Sequence, residues 1–149
     1  AASDVYKRQV RGLRPVAAVA PGVAAATGLS LQQLAAALVG QLRPAAVVCV
    51  DSLCSAEGQR LGRTVQFSDA GLYPAQADHT RHLTRDTLGV PVVAAGIPTL
   101  MQAQEGADLV VTPRALDSVI AHGAALLAGS VNRALQPRLT VQQLCWLTG

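Results

Sequence analysis

The sequence is short of aromatic residues, of lysine and of charge. One Trp, one Phe and two Tyr make up 3% of its 149 residues, although half of the chain is apolar. A core with so few rings has to be assembled from Ala, Val and Leu, which suits close packing of helices on a sheet. Lys7 is the only lysine, and charged residues amount to 14%. The net charge of +3 arises near the amino terminus, where Lys7, Arg8, Arg11 and Arg14 are set against Asp4 alone. Beyond Arg14, arginines and acids balance. A neutral body lacks the clustered cations that displace counterions from nucleic acid, so no nucleic-acid partner is expected. No uninterrupted apolar run has the length of a membrane span, and no membrane partner is expected either. There is no glycine-rich phosphate loop and no Gly-x-Ser-x-Gly nucleophile elbow. Cys49, Cys54 and Cys145 are odd in number and lack metal-ligand spacing. They read as reduced, buried thiols of a cytosolic protein.

The first nine residues, "AASDVYKRQ", carry neither a helical nor a strand period, and the composition changes after them. They resemble a translated adapter, and the sequence contains no initiator Met, its one Met being Met101. Residues 1–9 are therefore expected to lie outside the fold as an artefact or disordered leader, with the natural amino terminus missing. Residues 10–149 are enough for one domain with a real core.

Strand-like and helix-like segments alternate along that body. Val16–Ala20 reads as a short strand ending at Pro21-Gly22. Ser30 and Gln33 form a capping box ahead of a helix with Leu31, Leu34, Ala35, Leu38 and Leu42 at helical spacing, stopped at Arg43-Pro44. Ala46–Val50 is apolar on both faces, the mark of a central parallel strand, and Ser52–Arg60 is expected as a short helix or turn. Thr64–Ser68 is the next strand. A long polar connection spans Ala70–Thr87. Val90–Ala95 is a further central strand, stopped by Gly96 and Pro98, and Asp108–Val111 a short fifth one. Thr112 and Pro113 are placed to cap and open a long helix that ends at Gln136-Pro137. A terminal helix covers Thr140–Leu147, with Trp146 as its packing anchor. The alternation predicts a three-layer α/β domain with a largely parallel sheet.

Two acids stand out. Asp51 closes the apolar run Val47–Val50, and Asp69 closes the next strand. In open α/β sheets ligands gather beyond the carboxyl ends of strands. Each acid can simply cap the following turn. As a pair they can activate water by acid–base catalysis, or hold a divalent metal. Asp78, His79 and His82 offer a His-x-x-His zinc option on the polar connection, set against ordinary solvated histidines. His122, inside the long helix, reads as structural. No metal or other cofactor is assigned.

Four collinear segments carry a resemblance: "RPVAAVAPGVAAATGL", "VVCVDSLCSAEGQRLGRTVQFSDAGLYP", "TLGVPVVAAGIPTL" and "LVVTPRALDSVI". Together, over residues 14 to about 135, they resemble the germination proteases, the spore proteases of endospore-forming bacteria. The resemblance implies a fold similar to that of the hydrogenase-maturation proteases. It implies an endopeptidase that degrades small acid-soluble spore proteins in the spore core at germination, made as a zymogen that forms homo-oligomers. It implies an atypical aspartic mechanism with two essential aspartates. Asp51 aligns with the second of these and is the catalytic candidate. Asp69, in the shared "SD-G" motif, is expected to shape the neighbouring loop or support the site. The first aspartate belongs to a "TPDALGP"-type segment upstream of everything aligned here, and Asp4 does not replace it. The chain is thus expected to be a fragment lacking one catalytic Asp; the alternative is an inactive domain that only binds or assembles. It departs from the family at "AQADHTRH", which has no glycine, at Tyr73, where the family has histidine, and at the short bridge Met101–Asp108.

Overall fold

A computed structural model of the chain describes residues 13–22, 28–73, 82–102 and 110–148. The leader at residues 1–9 lies outside them, as do Asp78, His79 and Asp108. Contacts group the chain into two units, one of Ala1–Val19 with Ala124–Gly149 and one of Ala20–Gly123.

The larger unit holds the sheet. Helix α1 (Leu31–Leu42) starts where Ser30 and Gln33 exchange side-chain and backbone hydrogen bonds, and ends where Arg43 turns left-handed at φ 48° ahead of Pro44. The capping box and the proline stop were both readable locally. Ser30→Ala should cost about 1 kcal/mol, measurable as a shifted urea midpoint with an unchanged slope. Strand β1 (Val47–Ser55) is followed by a single 3-10 turn at Gly58–Arg60, then strand β2 (Gln66–Ser68) and the one-turn helix α2 (Arg85–Leu88). Strand β3 (Val92–Gln102) and strand β4 (Val110–Val111) complete the sheet, and helix α3 (Leu116–Leu135) follows.

The sheet is open and mixed, in the order β1-β3-β2, with β4 also on β3. β1 runs parallel to β3 over most of its length, whereas β2 and β4 are antiparallel to it. Leu31, Ala35 and Val39 of α1 pack on a cluster of Cys49, Leu72, Leu83, Leu88, Val92 and Ala94. Their spacing of four residues is the apolar stripe of an amphipathic helix. On the other face of β3, Ile97 abuts Gly123 of α3, where an added Cβ would collide with its side chain.

Several expectations are corrected. Val92–Ala95 is central, but among the described residues Val47–Val50 stands at the edge of the sheet, with Val48 42% and Val50 55% exposed. β1 does not end at Asp51, and no helix or turn begins at Ser52. β3 likewise passes through Gly96 and Pro98. Both continue because each supplies the other's hydrogen-bonding edge, from Val47↔Val92 to Ser55↔Met101. The register slips between Leu53 and Cys54, beside Pro98, whose missing N–H a bulge accommodates. Pro98 is fully buried, and its carbonyl accepts from the Gly62 N–H at 2.7 Å. Residues 16–20 form no strand; Val16 and Val19 are exposed. An extended segment becomes a strand only with a partner ladder, and among the described residues these have none. Thr112 is not the cap of α3, which begins later, with Val119 N–H donating to the Ala115 carbonyl.

In the smaller unit, Gln136 just past α3 clasps Arg14. The Arg14 N–H donates to Gln136 Oε1 and Gln136 Nε2 donates to the Arg14 carbonyl, both at 2.8 Å. Arg133 caps the helix end by donating to the Pro137 and Leu139 carbonyls. Helix α4 (Val141–Thr148) also opens on a capping box, Thr140 with Gln143. Leu127, Leu139 and Leu144 are buried. Trp146 is not a packing anchor, being 74% exposed. The three cysteines are free, and against the expectation that all are buried only Cys49 is; Cys54 and Cys145 are exposed. Among the described residues no helix is long and apolar enough to cross a membrane.

Candidate active site

Asp51 is the one acid in the four strands. It lies in the middle of β1, opposite Gly96 of β3, and Gln66 of β2 lies opposite the same glycine. Side chains at paired positions share a face. Asp51 and Gln66 therefore flank a notch whose floor is the glycine. That floor has to be bare. A Cβ on Gly96 would press into the Asp51 carbonyl oxygen and the Leu53 side chain. Gly96 is the residue that sequence reasoning missed. An isolated glycine inside an apolar strand signals close backbone approach as well as a strand end.

Asp51 is exposed. Its Oδ1 accepts from the Ser52 N–H at 2.8 Å, which fixes one carboxylate oxygen and leaves the other available. Cys49, two residues back on the same face, is buried. Burial pushes its thiol above the ordinary value of 9.0, and the Asp51 charge adds to the shift. A raised folded value means that the neutral thiol stabilises the fold below about pH 9, and that this contribution is lost as the pH rises through the folded value. Cys49 should therefore resist iodoacetamide at pH 8 while Cys54 and Cys145 are labelled, as read by peptide mass spectrometry. Early labelling of Cys49 would contradict its burial.

Asp69 follows β2 in an exposed bend. The Ala70 N–H donates to Ser68 Oγ in the same bend, and Gly71 then takes φ 105° against the Leu83 carbonyl. β3 stands between β2 and β1, so Asp69 and Asp51 are at least two strand spacings apart, roughly 10 Å. They do not form a carboxylate pair. Asp69 stands instead at the entry to the Leu72↔Leu83 bridge. Beyond that bridge, the rings of Tyr73 and His82 lie 4.8 Å apart. Asp78 and His79 fall outside the described residues, so the His-x-x-His option has no geometry. Among the described residues no group of three His, Cys, Asp or Glu side chains can hold a metal. His122 is on the exposed side of α3, its Nδ1 2.8 Å from the Ser118 carbonyl.

A lone, well-oriented carboxylate beside an open notch can act as one half of an acid–base pair. Comparison with known proteins identifies the family. A family model described as germination protease matches residues 5–105. The germination protease of Clostridium perfringens strain SM101 is 28% identical over 180 residues, covering 89% of this chain and 55% of the relative. That of Halalkalibacterium halodurans is 37% identical over 113 residues, covering 74% of this chain and 29% of the relative. That of Bacillus velezensis is 33% identical over 129 residues, covering 85% and 34%. The chain thus spans about half the length of the first of these relatives and about a third of the others.

Proposed function

The chain belongs to the germination protease family, and from that premise we infer that it is part of an endopeptidase of the germination type, with Asp51 as one of its two essential carboxylates. The substrates are small acid-soluble spore proteins, cleaved in the spore core, and the enzyme is a homo-oligomer made as a zymogen. Residues 10–149 form the C-terminal part of a three-layer domain similar to that of the hydrogenase-maturation proteases. The observation that carries this reading is the placement of Asp51: the only acid in the strands among the described residues, exposed, held by the Ser52 N–H and set beside a bare glycine. Asp51 binds and orients water or receives its proton; Asp69 supports the loop. The partner acid comes from the part of the family's chain outside the match.

One observation favours a second reading, a protease-like domain that binds or assembles without cleaving. Asp69, the other conspicuous acid, lies across β3 and leaves Asp51 without a carboxylate partner in the sheet. The two readings separate on incubation with purified small acid-soluble spore protein. The 149-residue chain is expected to be almost silent and the complete gene product containing it active. Silence of the complete product would favour the binding reading.

A further inference from the structure

Gln66 is a polar side chain for which the fold has no task. It opens β2 opposite Gly96, on the sheet face that it shares with Asp51. Val47, Cys49, Leu53, Val92, Ala94 and Pro98 on that face are apolar. Its other polar side chains in β1 and β2 are engaged: Asp51 Oδ1 accepts from the Ser52 N–H, and Ser68 Oγ accepts from the Ala70 N–H. Gln66 is half-buried, yet its amide makes no hydrogen bond with a described residue. No buried side-chain oxygen or nitrogen among the described residues lacks a partner. The stem of Gln66 is therefore covered while its amide tip meets solvent. A side chain held by its stem, with its donors free, is a preformed binding group.

Resting on the reading that Asp51 is an essential carboxylate of a protease, we propose that the Gln66 amide donates to the carbonyl oxygen of the peptide bond being cleaved, across Gly96 from Asp51. β3 stands between the two residues, which puts them two strand spacings apart, roughly 10 Å. Side chains stand upright on a sheet and keep about that spacing at their tips. A line from amide donor through carbonyl and attacking water to carboxylate has about the same length, with hydrogen bonds of about 2.8 Å at its ends and a carbon–water approach of about 3 Å. Asp51 and Gln66 are thus too far apart to bond each other, and spaced to hold a peptide group and a water between them. The floor below is apolar: Leu53 leans over Gly96, its Cγ 2.7 Å from where a Cβ would stand. A peptide lying on that floor displaces water, which strengthens a hydrogen bond to developing charge. In the step, Asp51 takes a proton from the water as the water oxygen bonds to the carbonyl carbon. The π pair moves onto the carbonyl oxygen, which the Gln66 N–H holds without giving up its proton. Collapse re-forms the C=O bond, breaks the C–N bond and delivers the proton to the leaving amine.

The test uses the complete gene product with purified small acid-soluble spore protein. Gln66→Met keeps the length of the stem and removes the donor. It should lower kcat by about 10²–10³-fold with KM little changed, the effect of deleting one oxyanion donor. The Tm should hold, because no internal hydrogen bond is lost. In Gln66→Glu the carboxyl donates only when protonated. Its turnover relative to wild type should therefore rise as the pH falls from neutrality towards about 4.3, whereas that of Gln66→Met should not. Wild-type kcat in Gln66→Met overturns the proposal, as does a flat pH ratio for Gln66→Glu. So does a fall in Tm alongside the fall in kcat, which makes Gln66 structural, or a raised KM at unchanged kcat, which makes it a ground-state contact. If Asp51→Asn collapses turnover and Gln66→Met does not, this proposal fails alone. If Gln66→Met collapses turnover and Asp51→Asn does not, Asp51 alone leaves the chemistry. A complete product that does not cleave sinks both.

Discussion

Asp51→Asn in the complete gene product is expected to lower kcat for small acid-soluble spore protein by about 10²–10⁴-fold, with KM little changed. The size follows from removing one acid–base group from a pair. The specificity of the test follows from geometry. Asparagine is isosteric, and its Oδ1 can accept the same Ser52 N–H that Asp51 Oδ1 accepts at 2.8 Å. The side chain is exposed, so no buried partner is orphaned. Melting temperature should therefore hold while turnover collapses. Wild-type turnover by Asp51→Asn would remove Asp51 from the chemistry. A collapse of both stability and turnover would make it a structural residue. Asp69→Asn, across β3, should cost far less, because it does not share the notch.

Gly96→Val is expected to be the most damaging single change to the fold. Its Cβ would press on the Asp51 carbonyl and on Leu53 Cγ, 2.7 Å away. The first of these is backbone, so β1 must move off β3 at the residue that carries the catalytic candidate. Overpacking of this kind costs about 3 kcal/mol or more. Chemical denaturation should show it, together with loss of activity even in molecules that remain folded. Gly89→Ala is the control. Gly89 caps α2 at φ 73° with open space where a Cβ would go. It should cost only the left-handed backbone term, about 1 kcal/mol. Equal effects at the two glycines would mean that crowding at Gly96 is relieved cheaply and that the notch is not a fixed feature.

The site was half legible. Asp51 could be singled out because an acid ending an apolar run is conspicuous, and the resemblance gave it a role. Its surroundings were not. Gly96 and Gln66 are separated from it by tens of residues, and only the register Asp51↔Gly96↔Gln66 makes them neighbours. Asp69 looks like a twin of Asp51 because both follow short strand-like runs. Antiparallel addition of β2 on the far side of β3 puts it elsewhere.

What the sequence determined by itself is what short-range physics controls. Ser30 and Gln33 start α1, and Arg43-Pro44 ends it, because a cap needs only groups three residues apart and a proline stop needs only its own ring. Cys49 and Val92 were marked for burial by the apolar runs that contain them. What the tertiary structure decided was where strands stop and which of them stand at an edge. β1 passes Asp51, and β3 passes Gly96 and Pro98, because a strand lasts as long as its neighbour offers hydrogen bonds, and that neighbour is distant in sequence. Val47–Val50 reads as interior from its own residues. It lies at an edge because a ladder needs a second chain segment, and none of the described residues supplies one.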